Sequence, residues 1–175
     1  MLTDTENNTY LRIAGITDDS IVDGPGIRLT IFVQGCPHNC EGCHNPQTHD
    51  FSAGTEISIA EIMVKISANP LLDGVTFSGG EPFCQAKALS RLGSMIRKKG
   101  LDIIAYSGYT YEYLKSHADC ENYFDDLLNV CDYLVDGPFI LAERNIDLRF
   151  RGSANQRIID LKKTAKEGRM ITAEL

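Results

Sequence analysis

Three cysteines, Cys36, Cys40 and Cys43, stand close together directly after an apolar run. Their spacing, C-x3-C-x2-C, brings three thiols onto one short loop. Thiolates are strong ligands for iron–sulfur clusters, which are normally held by four of them. Three thiolates leave one iron of a 4Fe-4S cluster free to bind a small molecule directly. The spacing therefore predicts an iron–sulfur centre with one open coordination position.

Zinc is the alternative explanation for clustered cysteines. A structural zinc site needs four ligands, often supplied as two C-x2-4-C pairs that lie far apart in the sequence. The three cysteines with His38 or His44 would make a Cys3His site, but a second cysteine pair is missing. The other cysteines stand singly, at Cys84, Cys120 and Cys131. The sequence therefore favours iron–sulfur, and we expect the single cysteines to behave as small buried hydrophobic residues.

A second motif, Gly79-Gly80-Glu81, follows a short predicted strand. Two glycines let the backbone approach a ligand closely because no Cβ stands in the way. Glu81 would then offer a carboxylate at the rim of the site. Such a stretch on its own is an ordinary strand-to-helix turn, whereas beside a cysteine loop it indicates a ligand site.

Strand and helix patterns alternate along the chain and predict βαβ units. Apolar and β-branched runs predict strands at residues 10–16, 27–33, 74–78, 101–106, 131–135 and 156–161. A capping box from Ser58 to Glu61 begins one helix, and further helical segments are predicted at 88–97, 110–115 and 123–130. A complete (β/α)8 barrel takes about 250 residues, and this chain has 175. We therefore predict an α/β fold, an incomplete (β/α) barrel with a mostly parallel sheet and one open side.

The composition indicates one globular domain. Hydrophobic residues make up 43% of the chain and charged residues 23%, enough to fill a core. A net charge of −7 argues against nucleic acid or an anionic membrane as partner, and no apolar run reaches the roughly 20 residues of a membrane span. Residues 1–8 show no signal peptide, so the six cysteines are expected as thiols or metal ligands. We expect a single cytoplasmic domain over residues 1–175, with its core at about 15–160.

Taken together, the motifs resemble those of the radical S-adenosylmethionine (SAM) enzymes. More narrowly, they resemble the activating proteins of the anaerobic (class III) ribonucleoside-triphosphate reductase over roughly residues 15–160. Five stretches carry this resemblance, at residues 23–28, 43–46, 78–82, 135–139 and 151–156. The earlier stretches are shared with other glycyl-radical activases, including that of pyruvate formate-lyase. The last stretch, Arg-Gly-Ser-Ala-Asn-Gln, and the small size favour the reductase activase.

The resemblance implies a set of site residues. Cys36, Cys40 and Cys43 would hold a 4Fe-4S cluster, and SAM would chelate the fourth iron. The Gly-Gly-Glu motif would hold the amino group of SAM, and later strand ends would contact its ribose and carboxylate. Gly42 stands where many radical SAM proteins carry an aromatic residue, so backbone contact is expected there instead. The implied cofactor-binding residues are Gly42, Cys43, His44, Gly79, Gly80, Glu81, Ser107 and Asp136.

The resemblance also implies the reaction. The reduced cluster would cleave SAM, and the 5′-deoxyadenosyl radical would take hydrogen from a glycine of the large catalytic subunit of the reductase. A flavodoxin-type protein is implied as electron donor. The open side of the barrel would admit a main-chain segment of this protein substrate. Three alternatives stay open, which are the activase of another glycyl-radical enzyme, a radical SAM enzyme acting on a small molecule, and a non-catalytic zinc-binding module.

Two further groups of residues have less specific signals. The histidines His38, His49 and His117 are expected at the surface. A basic cluster either contacts a partner or the cofactor edge, or is a solvated basic face. The cluster consists of Arg144, Arg149, Arg151 and Arg157.

Overall fold

The computed structural model describes residues 9–175, so the polar stretch at residues 1–8 lies outside the described part of the chain. The strands are β1 (Tyr10–Ser20), β2 (Arg28–Val33), β3 (Thr55–Ser58), β4 (Gly74–Gly79), β5 (Asp102–Tyr106), β6 (Tyr133–Asp136) and β7 (Arg157–Asp160). The α-helices are α1 (Ile59–Ala68), α2 (Ala86–Arg97), α3 (Tyr111–Ser116), α4 (Phe124–Val130) and α5 (Leu161–Glu167). Within residues 9–175, no helix is both long and apolar enough to cross a membrane.

The seven strands form one sheet in the order β3-β1-β2-β4-β5-β6-β7. The four strands β2, β4, β5 and β6 run parallel to one another. The outer pairings, β1 with β2, β1 with β3 and β6 with β7, are antiparallel. Because β3 and β7 lie at opposite edges, the sheet is an unclosed barrel. The predicted α/β fold with a mostly parallel, open sheet is confirmed, and the antiparallel edges are an addition to it.

Local sequence signals explain where several helices begin. The Ser58 hydroxyl accepts a hydrogen bond from the Glu61 backbone N–H, while the Glu61 carboxylate accepts one from the Ser58 backbone N–H. This capping box satisfies two donors at the start of α1. Thr110 and Asp160 cap α3 and α5 more simply, each through a side-chain oxygen that accepts from one backbone N–H, that of Tyr113 and that of Lys163. Each cap fixes the point at which the chain leaves a strand and turns along the sheet.

The two faces of the sheet carry different side chains, because successive residues of a strand point to opposite sides. One face packs against the helices and forms the main core. Its members include Leu29, Ile31, Val75, Phe77, Ile103, Ala105 and Leu134. The other face carries polar and aromatic groups, and its buried Ile104, Val135 and Ile158 form a smaller cluster. The cavity described below opens from this second face.

The three single cysteines differ in their environments. Cys131 is buried, as expected, and burial raises the pKa of its thiol well above the usual range. Cys84 and Cys120 are exposed, which contradicts the expectation of buried positions. Cys84 follows the turn after β4 and Cys120 lies between α3 and α4, where the chain runs at the surface.

Candidate cluster and cofactor site

The cysteine loop leaves the C-terminal end of β2 and is closed at its base by hydrogen bonds. The backbone N–H groups of Gly35 and Cys36 donate to the carbonyls of Thr48 and His49 at 2.8 and 3.1 Å. The Gln34 side-chain amide donates to two further carbonyls in residues 47–50. The loop is therefore held at both ends, and residues 36–45 project as a compact unit.

All three predicted cysteine ligands line one cavity of about 350 Å³. Gly79, Gly80, Ser107, Gly108 and His44 line the same cavity, so the cysteine loop and the ends of β4 and β5 meet there. Aromatic and aliphatic side chains form another part of its wall. They are Val22, Phe32, Tyr106, Phe139, Leu148 and Phe150. A cavity of this size with convergent polar groups on an apolar wall is typical of a small-molecule site.

The two glycines of the Gly-Gly-Glu motif have a packing reason that sequence reasoning missed. A Cβ on Gly79, whose φ is +96°, would lie 2.6 Å from the backbone of Phe32. A Cβ on Gly80 would lie 2.4 Å from the Gly35 carbonyl oxygen. Both contacts are closer than a real Cβ allows, so glycine lets the motif pack on the base of the cysteine loop. The same two glycines still face the cavity with their backbone.

Glu81 does not lie at the rim of the site, which corrects the expectation for its carboxylate. The residue is 0% exposed and does not line the cavity. One carboxylate oxygen accepts from the Phe83 backbone N–H and the Ser107 hydroxyl, both at 3.0 Å. The other lies 2.9 Å from the Gly108 backbone N–H and 2.7 Å from His38 Nε2. The carboxylate is therefore fully occupied by protein partners.

His38 is part of this buried arrangement, and the expectation that it lies at the surface is wrong. Its side chain is 16% exposed and lines the cavity between two of the predicted ligands. Its ring packs edge-on against Tyr109, with 4.4 Å between the ring centroids. Through Glu81, this histidine ties the cysteine loop to the ends of β4 and β5. No local signal marked it, because its partner lies 43 residues away.

Ser107 and Asp136 differ in their relation to the cavity. Ser107 lines the cavity, and its hydroxyl donates to Glu81 while accepting from the Tyr109 backbone N–H. Asp136 is 0% exposed and is not part of the cavity wall. Its carboxylate accepts from both Arg157 Nε and Nη2 and from the Tyr111 backbone N–H. Asp136 thus holds β6, β7 and the start of α3 together.

Gly42 and His44 lie on the outer part of the cysteine loop. Gly42 has a φ of +71°, and a Cβ there would lie 2.9 Å from Leu141 Cδ1. It does not line the cavity. His44 does, and its ring lies 4.9 Å from that of Phe139. The loop is thus packed against the segment that follows β6.

The stretch 151–156 forms a wall of the cavity. The Gln156 side-chain oxygen accepts from the backbone N–H groups of Gly152 and Ser153, and its amide donates to the Gly137 carbonyl. Arg151, Gly152 and Gln156 line the cavity. The expected four-arginine cluster is divided, because Arg157 is paired with Asp136 and Glu112. The family resemblance marks this stretch, but the sequence carries no signal for its hydrogen-bonding pattern.

Burial sets the protonation behaviour around the loop. Partial burial raises the pKa of the Cys36 thiol, and the nearby Glu81 carboxylate acts in the same direction, although backbone N–H groups partly oppose it. Burial likewise raises the pKa of the Tyr109 phenol to about 12. A cationic metal centre would favour the Cys36 thiolate, because metal coordination deprotonates thiols.

The donor set fits an iron–sulfur cluster better than a zinc ion. A zinc ion needs four ligand atoms around one point, with sulfur at about 2.3 Å. Among residues 9–175, no three His, Cys, Asp or Glu side chains are grouped so as to hold one metal ion. A 4Fe-4S cluster does not need that grouping, since each thiolate binds a different iron. Three thiols facing one cavity, with room left beside them, match the cluster.

Comparison with known proteins agrees with this geometry. Residues 22–159 match the family described as 4Fe-4S single cluster domain. The anaerobic ribonucleoside-triphosphate reductase-activating protein of Vibrio cholerae is 38% identical over 148 residues, covering 79% of this chain and 90% of that protein. The pyruvate formate-lyase-activating enzyme of Clostridium pasteurianum is 37% identical over 117 residues, covering 62% and 49% of the two chains.

A solved structure, that of QueE from Escherichia coli, matches 60% of this chain and 55% of its own, with a TM-score of 0.47 and 18% identity. The family match spans most of the chain, and the Vibrio cholerae relative is covered almost from end to end. The chain therefore belongs to the 4Fe-4S single cluster domain family and, within it, to the anaerobic ribonucleoside-triphosphate reductase-activating proteins.

Proposed function

We propose that this protein is a glycyl-radical activating enzyme whose substrate is the large catalytic subunit of anaerobic ribonucleoside-triphosphate reductase. The observation that carries the proposal is that Cys36, Cys40 and Cys43 share one cavity with the Gly79-Gly80 backbone. The names of the relatives support the choice of partner. When bound, a reduced 4Fe-4S cluster would supply one electron to SAM, and the resulting cleavage to methionine would provide a 5′-deoxyadenosyl radical for removing hydrogen from a glycine of the partner.

The residues of the chain have separate tasks in this proposal. The three thiols hold the cluster, while the backbone at Gly79 and Gly80, with Ser107 and His44, contacts SAM from the cavity wall. Glu81 and Asp136 position these groups, since their carboxylates are engaged by protein donors. For Gly42 we propose a backbone role in shaping the loop against Leu141.

The apolar part of the wall has a task of its own. Phe32, Phe139 and Phe150 face the cavity beside the thiols. Such side chains exclude water from a reactive centre and so limit side reactions. The open side of the sheet leaves the cavity accessible to a main-chain segment of a protein substrate. A fully enclosed site would admit only a small molecule.

We further propose a flavodoxin-type protein as electron donor and the cytoplasm as the location. The six cysteines of the chain are free thiols, which a reducing compartment maintains. A low-potential protein donor suits a cluster whose reduction precedes the cleavage of SAM. Adding candidate donors one at a time to the assay below would test this part of the proposal.

The test is an anaerobic assay of the purified protein with reconstituted iron and sulfide, a reductant and SAM, with and without the reductase subunit. We expect a glycyl-radical doublet in electron paramagnetic resonance only when the reductase is present, together with 5′-deoxyadenosine. Cys40→Ala should abolish both products. Cys120→Ala is the matched control, because this exposed cysteine lies outside the cavity, and it should retain both. Cleavage of SAM by Cys40→Ala at the parent rate would overturn the cluster assignment.

A second candidate is the activation of pyruvate formate-lyase, favoured by the 37% identity to the activase of that enzyme. Supplying pyruvate formate-lyase in place of the reductase separates the two, because only the true partner gives the doublet. A zinc-binding module without catalysis would instead give a colourless protein without sulfide.

A further inference from the structure

Arg151 is a cation of the cavity wall that has no anionic partner among residues 9–175. It lines the same cavity as the three cysteines. Within residues 9–175 its guanidinium makes one hydrogen bond, from Nη1 to the Gln156 carbonyl oxygen at 3.2 Å. Its Nε is buried and has no acceptor. A buried donor without an acceptor is destabilising, so the site is incomplete without a further group.

Two other arginines of the chain show how this protein normally satisfies such a side chain. Arg28 is fully buried and pairs with Asp102. Arg157 pairs with both Asp136 and Glu112. Arg151 has no corresponding carboxylate in the part of the chain that the structure describes. Residues 9–175 therefore supply no carboxylate to Arg151, which leaves its buried Nε available to donate to a ligand in the cavity.

The backbone around Arg151 is held firmly, so the guanidinium is presented from a fixed point. Gln156 binds the N–H groups of the two following residues, Gly152 and Ser153. Gly152 is tightly enclosed, because a Cβ there would lie 3.0 Å from the Phe139 ring and 3.2 Å from His44. The arginine is therefore anchored beside the cysteine loop.

The chemistry of the ligand identifies the acceptor. SAM carries a sulfonium and an ammonium group, and its carboxylate is its one anionic group. A guanidinium matches a carboxylate with two parallel N–H donors, a geometry that neutral donors do not reproduce. We propose that Arg151 binds the carboxylate of SAM and so selects ligands that carry this group. This inference rests on the proposed function, because it requires SAM in the cavity.

The test compares two ligands and four proteins under anaerobic conditions, with the cluster reconstituted and oxidised so that SAM is not cleaved. The ligands are SAM and decarboxylated SAM, and their dissociation constants are measured by equilibrium dialysis. The proteins are the parent, Arg151→Gln, Arg151→Lys and Arg144→Gln. Arg144 is an exposed arginine outside the cavity, so its variant makes the same change of charge without the proposed contact.

The proposal is tested by the preference for SAM, which is the dissociation constant of decarboxylated SAM divided by that of SAM. We expect Arg151→Gln to reduce this preference by about tenfold or more, the usual value of a hydrogen bond to a charged group. Arg151→Lys should keep part of the preference and Arg144→Gln all of it. Any binding of the carboxylate to iron is common to all four proteins and cancels in the comparison.

Other results would overturn the inference. Equal weakening of both ligands by Arg151→Gln would mean that the arginine only supports the wall. If Arg151→Gln left the binding of both ligands unchanged but raised the KM for the reductase, Arg151 would contact the protein partner and not SAM. If the parent protein bound SAM and decarboxylated SAM equally well, the contact between Arg151 and the carboxylate would be refuted, and the proposed function would not. A parent that binds neither would refute the proposed function as well.

Discussion

Replacing Glu81 by glutamine tests the buried carboxylate that ties the cysteine loop to the sheet. The substitution keeps the size of the side chain and removes its charge. It also replaces one acceptor oxygen by an NH2 group that can only donate. Each carboxylate oxygen faces one backbone N–H, from Phe83 on one side and Gly108 on the other. A backbone N–H can only donate, so neither group can accept a hydrogen bond from the new NH2 group.

The size of the effect follows from this geometry. Whichever way the new amide is turned, one backbone N–H faces an NH2 group and loses its acceptor. Ser107 can rotate its hydroxyl and His38 can change tautomer, so these two partners can adapt. An unsatisfied buried donor costs about 1–3 kcal/mol, and bonds to a neutral acceptor are about 1 kcal/mol weaker than bonds to a charged one. We therefore expect Glu81→Gln to lower the free energy of unfolding by about 2–4 kcal/mol.

The assay is urea unfolding of the cluster-free protein under anaerobic, reducing conditions, followed by circular dichroism. Glu41→Gln is the matched control, because Glu41 is an exposed residue of the same loop. Exposed substitutions usually change stability by less than about 0.5 kcal/mol. If Glu81→Gln were no more destabilising than Glu41→Gln, the carboxylate would not hold the loop. If Glu81→Gln instead weakened SAM binding without changing stability, the carboxylate would contact the ligand directly, as the sequence predicted.

Two further predictions concern groups outside the cavity. Ser58→Ala removes the cap of α1, and we expect a loss of about 1 kcal/mol in the free energy of unfolding by urea titration. Hydrogen bonds from Arg157 lower the pKa of Glu112, so the folded pKa lies below the unfolded one. Their stabilisation is present above the ordinary glutamate pKa of about 4.3 and is lost as the pH falls through the folded value. In unfolding free energies measured from about pH 6 to 3, Glu112→Gln should reduce this acid-dependent loss, and an unchanged pH profile would contradict the assignment.

Much of the fold could be predicted because its signals are local. The capping box at Ser58 and the apolar runs of β2, β4 and β5 mark these elements within a few residues. Of the outer strands, β3 was missed, whereas β1 and β7 coincide with the strands predicted at residues 10–16 and 156–161. The antiparallel pairing of these strands was not predicted, because strand direction depends on connections that short patterns do not encode. Helix α5, capped by Asp160, was also missed.

The site shows the same division between local and distant information. Three thiols on one loop are visible in the sequence, because their spacing alone suggests a metal centre. The surroundings of that loop depend on contacts across the chain. His38 meets Glu81, and Arg157 meets Asp136, over separations that leave no periodic pattern. The expectation that His38 lies at the surface was wrong because a polar loop residue carries no sign of its buried partner.

Hydrogen bonds connect the cysteine loop firmly to the turn formed by Gly79, Gly80 and Glu81. The Gly80 and Glu81 backbone N–H groups donate to the carbonyls of Val33 and Gly35, at the base of the loop, each at 2.8 Å. The Glu81 carboxylate then reaches His38 inside the loop and Gly108 at the end of β5. Any displacement of the loop would strain both sets of bonds. The Gly-Gly-Glu motif therefore fixes the distance between the cysteine loop and the backbone of Gly79 and Gly80 that lines the cavity. In the proposed function, this distance sets the geometry for electron transfer from the cluster to bound SAM.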